Sequence, residues 1–247
     1  MKNKEYRIQD TDQISLSAER SVSETVCQQS GLSGEAGLPT IVGITGGIGS
    51  GKSTIARELS QRGFAVYDCD REAKRIIAEN KDVQQQIINL FGEKSFINGI
   101  YNTQYISKCV FSPSLQGRSG EALLAQLNAI IHPAVKADIL SLPSTGRLGG
   151  APVLFVESAI LFEAGLDTIC DKIIVIEAPE EVRIARTIER DYAGVATEEN
   201  INKVRARMRA QNSPAPEKTQ GKYYRVANDG RLVLSRVVNL ICDIATH

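Results

Sequence analysis

The stretch Ile41-Val42-Gly43-Ile44-Thr45-Gly46-Gly47-Ile48-Gly49-Ser50-Gly51-Lys52-Ser53-Thr54 constrains the fold more than any other part of the chain. A short apolar run enters a glycine-rich turn, and Thr54-Ile55-Ala56-Arg57-Glu58-Leu59 leaves it at helical spacing. The interval Gly46-x-x-x-x-Gly51-Lys52-Ser53 fits the phosphate-loop template. In that template backbone N–H groups surround a polyphosphate, the lysine reaches its terminal phosphates and the hydroxyl holds Mg²⁺. Four of the six residues from Gly46 to Gly51 are glycine (Gly46, Gly47, Gly49 and Gly51). A Cβ there would block the approach of backbone to phosphate and resist positive φ, and the helix that follows aims its N-terminus at the anion.

Any anion site in this chain must be local. Lys+Arg and Asp+Glu are both 29 among 247 residues, so no general field recruits nucleic acid or an anionic membrane. The length suits one α/β core carrying insertions. Five cysteines (Cys27, Cys69, Cys109, Cys170 and Cys242) are scattered without a CxxC pair, and the two histidines make no zinc spacing with them. No run approaches the ~18 apolar residues of a membrane span, and no apolar signal core follows Met1-Lys2-Asn3-Lys4-Glu5. The expectation is a cytoplasmic protein that uses no nucleic acid, no membrane and no obligate protein partner.

Taken in order, residues 1–38 are polar and without period, which predicts a disordered extension. A first strand begins at Pro39 or Thr40, and the first helix runs to about Arg62, where Gly63 stops it. Phe64-Ala65-Val66-Tyr67 reads as a second strand ending in Asp68-Cys69-Asp70, before a helix from Arg71 to Glu79. From Lys81 to about Leu142 the pattern is mainly helical, broken at Gly92 to Tyr101. Such an insertion would sit over the ligand crevice of an open α/β sheet, where a second substrate could be gripped. After a loop at 143–150, the apolar run Val153-Leu154-Phe155-Val156 reads as a central strand that delivers Glu157 to the crevice. Lys172 to Glu177 is a further strand, and Pro179 stands at the start of a helix. That helix aligns Arg183, Arg186 and Arg190, and a second, capped by Thr197, aligns Lys203, Arg207 and Gln211. Tyr223 to Asn228 gives a last strand, and Leu232 to Ala245 a closing helix.

A phosphate loop implies a bound nucleoside triphosphate without saying what is done with it. Phosphoryl transfer needs a metal site, cations on the developing charge, and a carboxylate for the attacking oxygen. Lys52 supplies the phosphate contact, Ser53 the metal ligand, and Glu157 a carboxylate behind that metal. Asp70 is a candidate base, and equally an N-cap for the helix beginning at Arg71. Asp68 reads as structural or metal-associated. The arginines of 183–207 face either an anion, as a lid closing on the triphosphate, or water. His132, before Pro133, reads as a turn residue or as a contact to a second substrate's phosphate. Asn80-Lys81-Asp82 lacks the spacer of a guanine signature, and Asp191-Tyr192-Ala193-Gly194 follows a helix where a switch motif needs a strand. A small-molecule kinase is the economical account.

From Ile41 to Ala73 the chain resembles dephospho-coenzyme A kinases: a hydrophobic strand, Thr45-Gly46-Gly47-Ile48-Gly49-Ser50-Gly51-Lys52-Ser53, then Asp68-x-Asp70, with Asp70 about eighteen residues after Lys52. The resemblance continues through Asn128-Ala129-Ile130-Ile131-His132-Pro133, Val156 to Leu166, Arg186-Thr187-Ile188-Glu189-Arg190-Asp191, Arg207-Met208-Arg209-Ala210-Gln211 and Asn228-Asp229-Gly230. It implies transfer of the ATP γ-phosphate to the 3′-hydroxyl of dephospho-coenzyme A, giving coenzyme A and ADP in the last step of coenzyme A biosynthesis. The implied fold is α/β, a three-layer P-loop kinase with a mostly parallel sheet, a helical substrate-binding insertion and a helical lid. On that division the core is 39–80, 143–182 and 220–247, the acceptor insertion 81–142 and the lid 183–219.

The resemblance also assigns roles. Gly46, Gly47, Gly49, Ser50, Gly51, Lys52, Ser53 and Thr54 hold ATP phosphates, with Arg186 from the lid and Asn228 near the adenine. Asp70 acts as base on the acceptor, Lys52 and Arg190 join it in catalysis, and His132 falls in the acceptor region. Mg²⁺ accompanies ATP on Ser53, with Glu157 behind it. Departures are Glu157 and Ala159, where the family commonly has Asp and Pro, and Tyr101-Asn102-Thr103, where Leu-Asp-Arg or Leu-Asn-Arg is usual. Two alternatives stand beside this reading: another nucleoside or nucleotide kinase, and a nucleotide-dependent regulatory module.

Overall fold

Period-two alternation along the strands builds two cores back to back. The computed structural model describes residues 38–111, 119–211, 222–230 and 233–246. Its main sheet contains β1 (Thr40–Gly46), β2 (Ala65–Asp68), β5 (Val153–Glu157), β6 (Lys172–Glu177) and β7 (Tyr223–Ala227). They pair in the order β2-β5-β1-β6-β7, every neighbour parallel. On one face Val42, Ile44, Val153, Phe155, Ile174 and Ile176 pack against α1 (Lys52–Gln61) and α8 (Leu234–Thr246) through Ile55, Leu59, Val237, Val238 and Ile241. On the other, Leu154, Val156 and Ile173 meet α2 (Cys69–Glu79), α3 (Lys81–Phe91) and α5 (Gly120–Ser141) through Ile76, Ile77, Ile87, Leu127 and Ile139. Strands covered on both faces need continuous apolar sequence, which β5 has: all five of its residues are buried. The result is the three-layer α/β architecture expected from the sequence.

The predicted extension, Leu38 apart, lies outside the described residues, as do 212–219 of the predicted lid. The four cysteines that are described are free thiols.

Three local readings change. The helix after β2 begins at Cys69, not Arg71, and its cap is Asp68: the carboxylate accepts from the Arg71 N–H at 3.0 Å. Asp68 can do this because it is the last strand residue, extended at φ −85° and ψ 105°, which frees its side chain to reach the third helical amide. Asp70, already inside the first turn, is therefore not the cap. His132 and Pro133 are not at a turn but in the interior of α5. A proline in a helix interior costs about 3 kcal/mol, and the helix continues because Leu123, Leu127, Val135 and Ile139 carry its buried face across that point. The break at Gly92 to Tyr101 holds a 3₁₀ turn (Glu93–Ser95) and a hairpin of β3 (Phe96–Ile97) and β4 (Ile100–Tyr101). Its turn is Asn98-Gly99 with φ of 51° and 78°, the positive pair that a two-residue hairpin demands.

Between α3 and α5 lies α4 (Thr103–Val110), whose N-cap is Asn102. The remaining helices, α6 (Glu180–Tyr192) and α7 (Glu198–Ala210), form a hairpin with a small core of its own: Ile184, Ile188 and Val204. Thr197 caps α7 as predicted, accepting from the Asn200 N–H at 3.2 Å. Pro179 precedes α6 as its N-cap residue, one position before the expected place.

Candidate active site

The C-terminal ends of β1, β2 and β5 meet because their register is parallel and in step. Glu157, the last residue of β5, pairs with Ile44 on one side and with Asp68 on the other. The glycine loop leaves β1 at this edge, and α1 starts from Gly51, whose φ of 96° is left-handed. Gly51 offers no side chain to cap the helix, and the first turn contains no acidic residue. The helix N-terminus, with Lys52, Ser53 and Thr54 in its first turn, is thus left for an anion. A Cβ on Gly51 would lie 2.3 Å from Nδ2 of Asn228. The loop is braced there: Ser50 O accepts from Asn228 Nδ2 at 2.8 Å and from Arg186 Nη1 at 3.2 Å, and Arg186 Nη1 also donates to Asn228 O at 2.9 Å. Arg186 and Asn228 therefore hold the backbone of the loop itself.

Charge is concentrated beside it. The Ser53 hydroxyl donates to Glu157 Oε1 at 3.3 Å. Burial pushes the Glu157 carboxyl above the ordinary carboxylate range, Lys52 pulls it back, and Asp68 and Asp70 push it further up. Burial depresses Lys52; Glu157 and Asp70 favour its charged form, while Arg190 and Arg183 oppose it. Lys52, Glu157, Asp68 and Asp70 thus share one small volume. Asp70 is exposed, and among the described residues no hydrogen bond or ion pair ties its carboxylate down. It faces solvent two residues after the cap, on a helix whose N-terminus favours its negative charge.

The donor set suits a hard cation that keeps its waters. Among the described residues no group of three or more His, Cys, Asp or Glu could hold a metal by itself. A hydroxyl with a carboxylate at 3.3 Å is instead what Mg²⁺ uses when phosphate oxygens and water complete its shell. Two buried hydroxyls flank the place: Thr45 Oγ1 and Ser50 Oγ have no hydrogen-bond partner among the described residues.

A cavity of about 480 Å³ opens next to the loop, lined by Gly47, Ser50, Glu177, Arg183, Arg225 and Asp229 among others. That volume falls in the range of small-molecule sites.

Other predicted residues are brought less close. His132 stands half-buried on α5; burial lowers its pKa and Glu163, in the segment after β5, opposes that. Arg190 donates to both oxygens of Asp191, at 2.6 and 3.1 Å, and Arg207 reaches the same carboxylate at 2.7 Å, so Asp191 fastens α6 to α7. Two contacts to the loop backbone come from Arg183, one of the candidate lid arginines, and from Gln211, to which the sequence assigned no role in the site. Arg183 Nε donates to Ile48 O at 2.8 Å, and the Ile48 N–H donates to Gln211 Oε1 at 2.8 Å.

Comparison with known proteins agrees with this fold. The profile of the dephospho-CoA kinase family matches residues 40–233. A dephospho-CoA kinase of Porphyromonas gingivalis is 35% identical over 206 residues, which is 83% of this chain and 94% of that one. One from Chlorobaculum tepidum is 36% identical over 203 residues, covering 80% and 90%. A solved Thermus thermophilus protein is 32% identical, with a TM-score of 0.64 over 85% of this chain and all of its own. A Campylobacter jejuni dephospho-CoA kinase, 21% identical, shares the fold with a TM-score of 0.52 over 84% of this chain and 98% of its own.

Proposed function

This chain belongs to the dephospho-CoA kinase family, phosphotransferases acting on dephospho-CoA with ATP, and from that premise we propose how its own residues divide the reaction. The oxygen of the acceptor's 3′-hydroxyl attacks the γ-phosphorus of ATP. The bond from that phosphorus to the β–γ bridging oxygen breaks, and ADP leaves with the bridging oxygen. The hydroxyl proton passes to the Asp70 carboxylate, which is exposed, has no hydrogen bond or ion pair among the described residues, and stands in the first turn of α2. Lys52 neutralises charge on the transferring phosphate, and the first-turn amides of α1 hold the phosphate chain.

Mg²⁺, bound with ATP, would neutralise charge on the phosphate chain. Ser53 would ligate it and Glu157 would orient one of its waters; the 3.3 Å contact between the two supports this. Arg186 and Asn228 keep the loop in shape, with Asn228 at the nucleoside end. Arg190 serves transfer from the lid, 183–219, once it turns from Asp191 to the phosphates. His132 belongs to the acceptor side, within the insertion 81–142. Burial lowers its pKa against the opposing charge of Glu163, which favours the neutral imidazole, a donor or acceptor instead of a cation.

The observation that carries this reading is the register that sets Glu157 beside Asp68 at the mouth of the glycine loop, with Lys52 and Ser53 on the adjoining helix. Purified protein with Mg-ATP and a panel of acceptors tests it. Phosphorylation of dephospho-CoA is expected; turnover of a nucleoside monophosphate but not of dephospho-CoA would overturn it.

A further inference from the structure

Ile48 lies between Gly47 and Gly49 in the phosphate loop, and both of its backbone polar groups are tied to the helical hairpin. Its N–H donates to Gln211 Oε1, and its carbonyl accepts from Arg183 Nε, each at 2.8 Å. The two side chains come from different helices. Arg183 is in the first turn of α6 and Gln211 is the C-cap residue of α7. The guanidinium lies flat against the loop: a Cβ on Gly47 would sit 2.4 Å from its Nη2 and 2.7 Å from its Cζ, so glycine at 47 is what admits the arginine.

Gln211 is used at both ends of its carboxamide. While Oε1 accepts from Ile48, Nε2 donates to the carbonyl of Ala159 at 3.2 Å. Ala159 is two residues beyond Glu157, in the segment that leaves β5. The orientation of the amide is fixed by chemistry, since a flipped Gln211 would oppose donor to donor and acceptor to acceptor. One side chain therefore joins the glycine loop, the strand end that carries Glu157, and the tip of α7. The hairpin that presents Arg183 and Gln211 has a small buried core of its own, Ile184, Ile188 and Val204, separate from the two cores of the sheet.

We infer that Arg183 and Gln211 are positioning residues that clamp the Ile48 peptide groups, so that the phosphate loop takes its working shape when the α6–α7 hairpin is seated on it. This inference rests on the kinase reading above. Neither residue needs to touch the reacting atoms. Their effect is on the placement of Gly49 to Ser53, hence on the rate of transfer more than on the formation of the substrate complex. Because both hold the same residue of the loop, losing either releases the same segment.

The test is a double-mutant cycle in the full chain, with steady-state kinetics in ATP and dephospho-CoA and a urea melt of each protein. Arg183→Ala and Gln211→Ala should each lower kcat about tenfold, as expected for one lost hydrogen bond felt in the transition state, with KM for ATP changed less than threefold. The double variant should lose about as much as either single one, and Arg183→Lys, which keeps a donor for the Ile48 carbonyl, should recover most of the loss of Arg183→Ala. A purely structural role would shift the melts and leave kcat per folded molecule alone. Unchanged kcat in the single variants, multiplicative losses in the double, or an Arg183→Lys no better than Arg183→Ala would each overturn the clamp. If wild type turns over dephospho-CoA, those outcomes overturn the clamp alone; if it does not, the kinase reading fails and the clamp with it.

Discussion

Ser53 stands in the first turn of α1 and Glu157 closes β5, 104 positions later in the chain, yet the Ser53 hydroxyl donates to Glu157 Oε1 across 3.3 Å. The pairing sets the hydroxyl proposed to ligate Mg²⁺ against a carboxylate that burial has made reluctant to ionise. A carboxyl whose pKa is raised on folding binds its proton more tightly in the folded state. Its contribution to stability is therefore fully present below the unfolded value and is lost as pH rises through the folded one. Glu157→Gln should then unfold at higher urea than wild type near neutral pH, with the gap closing as pH falls below the ordinary value of 4.5, while kcat drops. A urea series across pH checks this, and a less stable Glu157→Gln at neutral pH would mean that attraction to Lys52 outweighs burial.

Asp68 and Asp70 separate cleanly. Asp68→Ala should cost about 1 kcal/mol through the lost cap, and Asp68→Asn much less. Asp70→Asn should leave stability nearly unchanged and lower kcat by about 10²–10⁴-fold, the usual worth of a general base, with ATP still bound. Denaturation curves and kcat measured on the same samples distinguish the two; an active Asp70→Asn removes the base.

Lys52→Ala should lower kcat by about 10²–10³-fold, the usual cost of losing a charge stabiliser for the transition state, and weaken ATP binding. Its ammonium is disfavoured by burial, so a modest gain in unfolding midpoint near neutral pH is consistent with the same variant. Titration calorimetry with ATP, beside single-turnover rates, measures both effects.

A second ionic cluster supports the helix that carries Asp70. Arg75 Nε reaches Glu72 at 2.7 Å and Arg75 Nη2 reaches Asp138 of α5 at 2.7 Å, while Arg147 bonds both carboxylates from the loop before β5. Tyr67 completes the set, its hydroxyl donating to Asp138 at 2.8 Å. Arg75→Met would leave the Glu72 carboxylate, 9% exposed, with a weaker counter-charge, and should destabilise the fold by about 3 kcal/mol. These arginines hold Glu72 and Asp138 below the ordinary carboxylate values of 4.5 and 3.8 against the pull of burial. Stability from such groups is present above the unfolded values and lost as pH falls through the folded ones. The gap between wild type and Arg75→Met should narrow on acidification, and a gap constant with pH would show that Arg75 acts by packing alone.

Much of this was legible in the sequence because it is local. The glycine spacing fixes a loop, the apolar runs at Ile41 and Val153 require a sheet covered on both faces, and Lys52 and Ser53 follow from the template whatever the rest of the chain does. The sequence shows the break at Gly92 to Tyr101 only as an interruption of the helices; the hairpin within it, turned at Asn98-Gly99 on two positive φ angles, comes from the structure. The choice between base and cap at Asp70 was not legible either, because it turned on whether the strand ended at Tyr67 or at Asp68. Pattern also set His132 at a turn, since proline breaks helices in isolation; the buried face of α5 carries the helix through.

By itself, then, the sequence determined the phosphate seat, the parallel sheet, and which side chains carry the charge. Only the tertiary structure decided that Glu157 stands beside Asp68, that Arg186 and Asn228 hold the loop's backbone, and that Arg183 and Gln211 both end on Ile48. Periodicity gives the face of a helix on which a residue lies. What that face meets depends on register and on the docking of elements far apart in the chain, and no local pattern encodes that.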